Sequence, residues 1–229
     1  MISGVLRNDI EAYVQEARAT NPLYHRILDG SLEREKVGRY LVNVLHLLRH
    51  TPPYLERARQ RARERGQREL ADYFDQKLDE EVGHDQWAVS DIHHFTTVLN
   101  VRCRDVVMPS LASMLAYLGD VIDEDPTLYL AYILFAEYVT VLEGPALLEL
   151  LEERCGIPQQ CMSAIGNHVE LDKEHVEEGL DAIDGLVGDP AYLSPMRRVL
   201  RQSIQYFDGF LAEVAELPSS YQPGDVRAA

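Results

Sequence analysis

The stretch GNHVELDKEHVEEGLDAIDGLV carries an apolar stripe at helical spacing, Ile165, Val169, Val176, Leu180, Ile183 and Val187, and Asp172 stands on that stripe. Steps of four and three residues return side chains to one face of an α-helix, so His168 and His175 flank Asp172 on the same side. An unpaired buried carboxylate is costly. A chain containing this helix must therefore fold so that a cation, or a set of hydrogen-bond donors, meets Asp172. Two imidazoles and a carboxylate on one face make half of a site for zinc, manganese or iron. The alternatives are an interhelical salt bridge or histidines hydrogen-bonded in the core.

Two other segments repeat the anomaly. A predicted helix over 67–97 has the stripe Leu70, Phe74, Leu78, Ala88, Ile92 and Phe95, with Glu81, His84 and Asp85 in its middle. Glu81 and His84 form an ExxH pair, the spacing that carboxylate-bridged di-metal proteins place on core helices. Gly83 removes a side chain beside the pair, which would let another helix approach. Glu80, one residue off the stripe, competes with Glu81. The third segment, LYLAYILFAEYVTVLEGPALLELL, is apolar all round, the mark of a central helix, yet it holds Glu137 and Glu143. Pro145 cannot donate to the carbonyl of Val141, so a bend beside Glu143 is expected, and Glu143 is favoured as a ligand. Glu137 is left between a supporting ion pair and a ligand. The resulting set is Glu81, His84, Glu143, His168, Asp172 and His175. Three carboxylates and three imidazoles without thiolates exceed what one zinc takes and suit two divalent ions with open positions.

Helical punctuation runs through the whole chain, and nothing alternates with a strand's period of two. The predicted helices cover 8–20, 22–29, 31–50, 52–65, 67–97, 109–122, 126–154, 158–187 and 195–217. Thr51-Pro52, Asp125-Pro126 and Ser194-Pro195 each set a capping side chain before a proline, and Ser31 opens a helix in the same manner. No Pro/Gly/Ser-rich linker divides the 229 residues, so one all-α domain over 1–229 is expected, with about 218–229 as a frayed tail.

A formal net charge of −16 argues against nucleic acid or an anionic membrane as partner. The apolar run Leu128 to Leu142 is interrupted by Glu137, and the N-terminus lacks the apolar core of a signal peptide. Cys103, Cys155 and Cys161 make neither an even framework nor a CxxC pair. A cytoplasmic location with reduced thiols is the expectation.

At EEVGHDQW, YVTVLEGPAL and NHVELDKEH the chain resembles the haem-oxygenase-like diiron oxidases and oxygenases, which share their fold with haem oxygenase, TenA-type thiaminases and the PqqC-type oxidase. The opening segment NPLYHRILDGSLEREKVGRYLVNVLHLLRHTPPYLERA is also similar, so the resemblance spans roughly 20–215. It implies an all-α, haem-oxygenase-like bundle of about seven to nine helices. It also implies two iron ions, with manganese the substitute, held by Glu81, His84, Glu143, His168, Asp172 and His175. O2 would be the co-substrate. The implied activity is oxidation of a small, amino-acid-derived substrate in a biosynthetic pathway, by N-oxygenation or by C–C or C–N cleavage. The implied partners are that small molecule and a second copy of the chain in a homodimer.

One departure stands out: where some members carry a carboxylate two turns before the histidine, this chain has Lys77. Tyr24, Tyr40, His46, His50, Tyr54, Tyr132 and Tyr206 are candidate pocket-lining residues. Two other readings stay open. One is a metal-independent enzyme of the TenA or PqqC kind, with Cys161 as a conceivable nucleophile. The other is a non-catalytic metal-binding helical protein, which predicts a saturated site and no substrate cavity.

Overall fold

The computed structural model describes residues 1–221. Among them are nine α-helices and no strand: α1 Ile2–Thr20, α2 Pro22–Leu28, α3 Arg34–Glu64, α4 Arg68–Glu81, α5 Asp85–Val98, α6 Pro109–Glu124, α7 Leu130–Cys155, α8 Ser163–Leu186 and α9 Leu193–Glu216. The apolar helix α7 is central. It lies along α8 and also meets α1, α2 and α9, while α3 gathers α4, α5 and α6. By length and composition Pro126–Cys155 could cross a membrane, but 67% of its most apolar window is buried inside the fold. Packing against other helices accounts for that hydrophobicity.

The α7/α8 contact needs a glycine at position 144. A Cβ on Gly144 would collide with Val169, and one on Gly179 would come to 3.6 Å from Glu137 Oε2. Gly144 is the position that lets α8 press against α7 at Val169, whereas the Gly179 contact would be an ordinary one.

Several helix boundaries differ from those read in the sequence. The expected break at Thr51-Pro52 is absent, and α3 runs straight through Pro52 and Pro53. Each proline removes one i→i−4 bond. Beside that gap the side chains of His50 and Thr51 bond back to the carbonyls of His46, at 2.7 Å, and Leu47, at 3.3 Å. Conversely, the single helix expected over 67–97 is two. Gly83, with φ +94°, turns the chain between α4 and α5. No atom lies within 4 Å of where its Cβ would be, so Gly83 serves the turn and not the approach of a neighbouring helix.

The starts differ too. α3 begins at Arg34, not Ser31, and α9 begins at Leu193, ahead of Ser194. Asp125 does cap, accepting from the Thr127 N–H. The expected frayed tail is tied down where it is described. Tyr221 is buried, and Arg39 donates to the carbonyls of Leu217, at 2.8 Å, and Pro218. Residues 222–229 of that expectation lie outside the described residues.

The start of α8 is fixed from another helix. Asp91 on α5 is 1% exposed and accepts from Ser163 N at 2.9 Å, Ser163 Oγ at 2.5 Å and Ala164 N at 2.8 Å. A charged acceptor on three donors at a helix N-terminus contributes strongly. Asp91→Ala should cost about 2–4 kcal/mol of folding stability. Urea unfolding checks it, and a loss near zero would show that α8 does not depend on this cap.

Candidate metal centre

Glu81 closes α4, and His84 follows the Gly83 turn at the mouth of α5, so the ExxH pair spans a turn between two helices. His84 Nδ1 lies 3.2 Å from Glu81 Oε2. Across from them, His168 Nε2 on α8 is 4.0 Å from the same oxygen. One ligand atom from each of the three falls within 4.8 Å of the others. The ring of Trp87 stacks on His84, centroids 4.2 Å apart, and meets His168 edge-on at 5.3 Å. Trp87 was not picked out in the sequence. The signal for it was its place three residues after His84, which returns it to the same helical side.

The donors suit a metal ion. His168 Nδ1 sits 2.6 Å from the Ala164 carbonyl, which can only accept, so that nitrogen carries the proton. Nε2 is then the lone-pair atom, and it is buried without a partner. Metal-binding histidines are oriented in this way, the far N–H given to a carbonyl. Burial would raise the Glu81 carboxyl, but positive charge taken up by the His168 and His84 rings in the metal-free protein outweighs it and holds the group at about 2. Two imidazoles and one carboxylate are ligand types that divalent transition metals accept.

The other half of the expected site looks different. His175 Nδ1 is 3.2 Å from Asp172 Oδ1, and its Nε2 is 3.5 Å from Glu80 Oε2, so both ring nitrogens face carboxylates. Lys77, only 1% exposed, reaches in from α4. Its Nζ is 3.1 Å from Glu80 Oε2, 3.2 Å from Glu137 Oε1 and 3.5 Å from Glu178 Oε2. Burial acts to lower the Lys77 pKa, yet Glu137 and Glu80 outweigh it and raise it. Burial also lifts the Glu137 carboxyl to about 7, against the pull of Lys77.

Glu143 is a correction. The structure does not bring it to the cluster. Arg18 of α1 donates to both its oxygens, at 3.0 and 3.2 Å, and to the Leu142 carbonyl at 2.9 Å. The carboxylate that α7 presents to the cluster is Glu137. Glu81, His84 and His168 form one group; Asp172 and His175, with Glu80 and Glu137, form a second around Lys77.

A cavity of about 140 Å³ adjoins both groups. Lys77, Glu81, Glu137, His168 and Asp172 form its polar end, and Leu47, Leu55, Met114, Ile133, Phe207 and Phe210 are among its apolar walls. An apolar cavity of about 150 Å³ holds benzene, so this one takes a small or narrow molecule. Tyr40 and Tyr132 line it as expected. Tyr24 instead lines a smaller neighbouring cavity with Glu143. His46, His50 and Tyr54 bond to Asp105, His46 and Leu115, and Tyr206 packs on Tyr117. Cys161 lies in a short turn before α8, burial raises its thiol, and no cysteine lines the cavity.

Comparison with known proteins now decides the fold. A structure described as a domain of unknown function with a haem oxygenase-like fold, from Shewanella denitrificans, superposes with a TM-score of 0.79 at 20% identity, covering 92% of this chain and 90% of the other. The chain has the haem-oxygenase-like fold. A TenA homologue from Pseudomonas syringae pv. tomato matches at TM-score 0.71 and 16% identity, over 93% of this chain and 92% of its own. A CADD-like protein of unknown function from Nostoc punctiforme matches at 0.69 and 15%, over 91% and 96%. No family model matches the sequence, and no curated protein does.

The low Glu81 pKa has a consequence for stability. Its folded value of about 2 lies below the ordinary 4.5, so its contribution is full above pH 4.5 and is lost as pH falls towards 2. Metal-free protein should lose stability over that window, and Glu81→Gln should flatten the loss. Denaturant midpoints at pH 5 and pH 3 measure it; equal slopes in the two proteins would refute the assignment.

Proposed function

We propose that the chain is an O2-dependent non-haem iron oxidoreductase acting on a small, largely apolar molecule. The observation that carries this reading is the partnerless Nε2 of His168, grouped with Glu81 and His84, where His168 and Glu81 line a largely apolar cavity. Glu81, His84 and His168 would hold the metal, with iron favoured and manganese the substitute. When bound, the ion would supply the O2 activation that amino-acid side chains lack. The chain's own groups do the rest. Ala164 and Trp87 hold the two imidazoles in orientation. Glu81 stays ionised, providing the fixed negative charge a divalent ion needs. The apolar walls exclude water and grip a hydrocarbon part of the substrate, while Lys77 and Glu137 set charge where its polar group would lie. Oxidation by N-oxygenation, or by C–C or C–N cleavage, suits a substrate whose amine or carboxyl end sits there.

A pure metal store has no use for this cavity. A metal-independent enzyme would use it but would leave the His168 lone pair unexplained.

O2 uptake by anaerobically Fe(II)-loaded protein, challenged with a panel of apolar amino acids, alkyl amines and short-chain carboxylic acids, tests the proposal. At least one class should stimulate uptake, and stripped protein should show none. Full turnover by stripped protein would place the chain among metal-independent members of the fold.

A further inference from the structure

We infer that the second cation of this site is the ammonium of Lys77, so that the chain holds one metal ion where the resemblance implies two. This inference rests on the metal-binding reading above and narrows it. Lys77 lies one helical turn before Glu81 on α4, so both side chains leave the same face of that helix. Its Nζ reaches Glu80, Glu137 and Glu178 at 3.1, 3.2 and 3.5 Å, on a side chain 2% exposed. Glu137 and Glu80 carry the oxygens a second ion beside His175 would draw on, since α7 offers no other carboxylate to the cluster and His175 Nε2 faces Glu80. A divalent ion bound to them at roughly 2.0–2.2 Å would stand against the ammonium, two positive centres sharing the same ligands.

The histidines make the same distinction. His168 keeps a free, buried lone pair on Nε2, as a ligand awaiting a metal does. His175 has both nitrogens directed at carboxylates, Asp172 at 3.2 Å and Glu80 at 3.5 Å. One half of the site offers an ion a free imidazole. In the other an internal cation already stands among the carboxylates, where Glu80 Oε2 and Glu137 Oε2 make no hydrogen bond but both side chains face Lys77 and its charge. The ammonium also lines the cavity, so it places a fixed positive charge beside the metal position.

Metal content and Mn(II) electron paramagnetic resonance of the full chain test this. After loading with excess Mn(II) and removal of loose ions, the natural protein should hold one ion and show the signal of an isolated Mn(II). Lys77→Glu should hold two and show the multiline signal of a coupled pair. His175→Ala, which keeps Lys77, should retain the single ion with affinity within about threefold, whereas a ligand of that ion would cost far more. This second variant decides the matter if Lys77→Glu does not fold. Two ions in the natural protein, one ion in a folded Lys77→Glu, or loss of the ion in His175→Ala would each overturn the inference while leaving metal binding intact. No ion in any of the three proteins would overturn the metal-binding reading itself.

Discussion

Replacing His168 with alanine should lower Fe(II) or Mn(II) affinity by more than about 100-fold, since loss of even an outer-shell partner costs 10–100-fold. Activity should fall with it. The metal-free fold should lose far less. In that state Nε2 makes no hydrogen bond and Nδ1 bonds only to the Ala164 carbonyl within its own helix, so the one group that feels the loss is Glu81, which keeps His84 beside it at 3.2 Å. The contrast separates a ligand from a structural histidine, because a ring that served packing would cost stability first. Glu143→Gln is the matching control. Arg18 holds that carboxylate away from the cluster, so metal affinity should stay within about twofold while stability drops slightly, as expected for a half-exposed pair. Isothermal titration with Mn(II) and urea unfolding of the metal-free proteins give both readouts. Unchanged affinity in His168→Ala would remove the centre proposed here.

The contrast between Glu137 and Glu143 also shows what the sequence could carry. Both sit in the most apolar helix, and both are anomalous there. The kink argument favoured Glu143, but its partner Arg18 is 125 residues away in the chain, on a helix whose packing no local pattern reveals. The stripes, by contrast, were legible, because helical period alone puts Asp172 beside Val169 and Val176 on the buried side of α8. Glu81 and His84 were legible as a pair although their helix was misread, since three residues bring them together through the Gly83 turn as well as along a continuous helix. Pro52 misled because capping chemistry before a proline is a start signal only when nothing else holds the preceding turn. Here α3 keeps its course while packed against four neighbouring helices. Lys77 was visible as a departure from the family pattern. That its ammonium would enter the site depended on Glu178, 101 residues away in the chain, and on burial.

The second large effect falls on that lysine. Lys77→Met keeps length and helix propensity but leaves Glu137 buried, with the partly exposed Glu80 nearby, without their cation. Removing one partner of a buried ion pair costs roughly 3–5 kcal/mol, because the remaining charge is stranded. The expectation is a loss of that size in metal-free protein at pH 8, where the Glu137 carboxyl, at about 7 even with Lys77 present, is mostly ionised. Without the ammonium that carboxyl rises further and binds a proton more readily, so the loss should shrink as pH falls towards 6. Adding Glu137→Gln should return part of the stability, since the double variant no longer buries the stranded charge, and this recovery measures the coupling. A divalent ion should restore Lys77→Met as well, by about 2.7 kcal/mol at a hundred times its dissociation constant. The natural protein should gain only from its first site. Urea unfolding at pH 6 and pH 8, with and without Mn(II), resolves each comparison. A loss below about 1 kcal/mol, or one that grows as pH falls, would show that the ammonium is not what keeps these carboxylates buried.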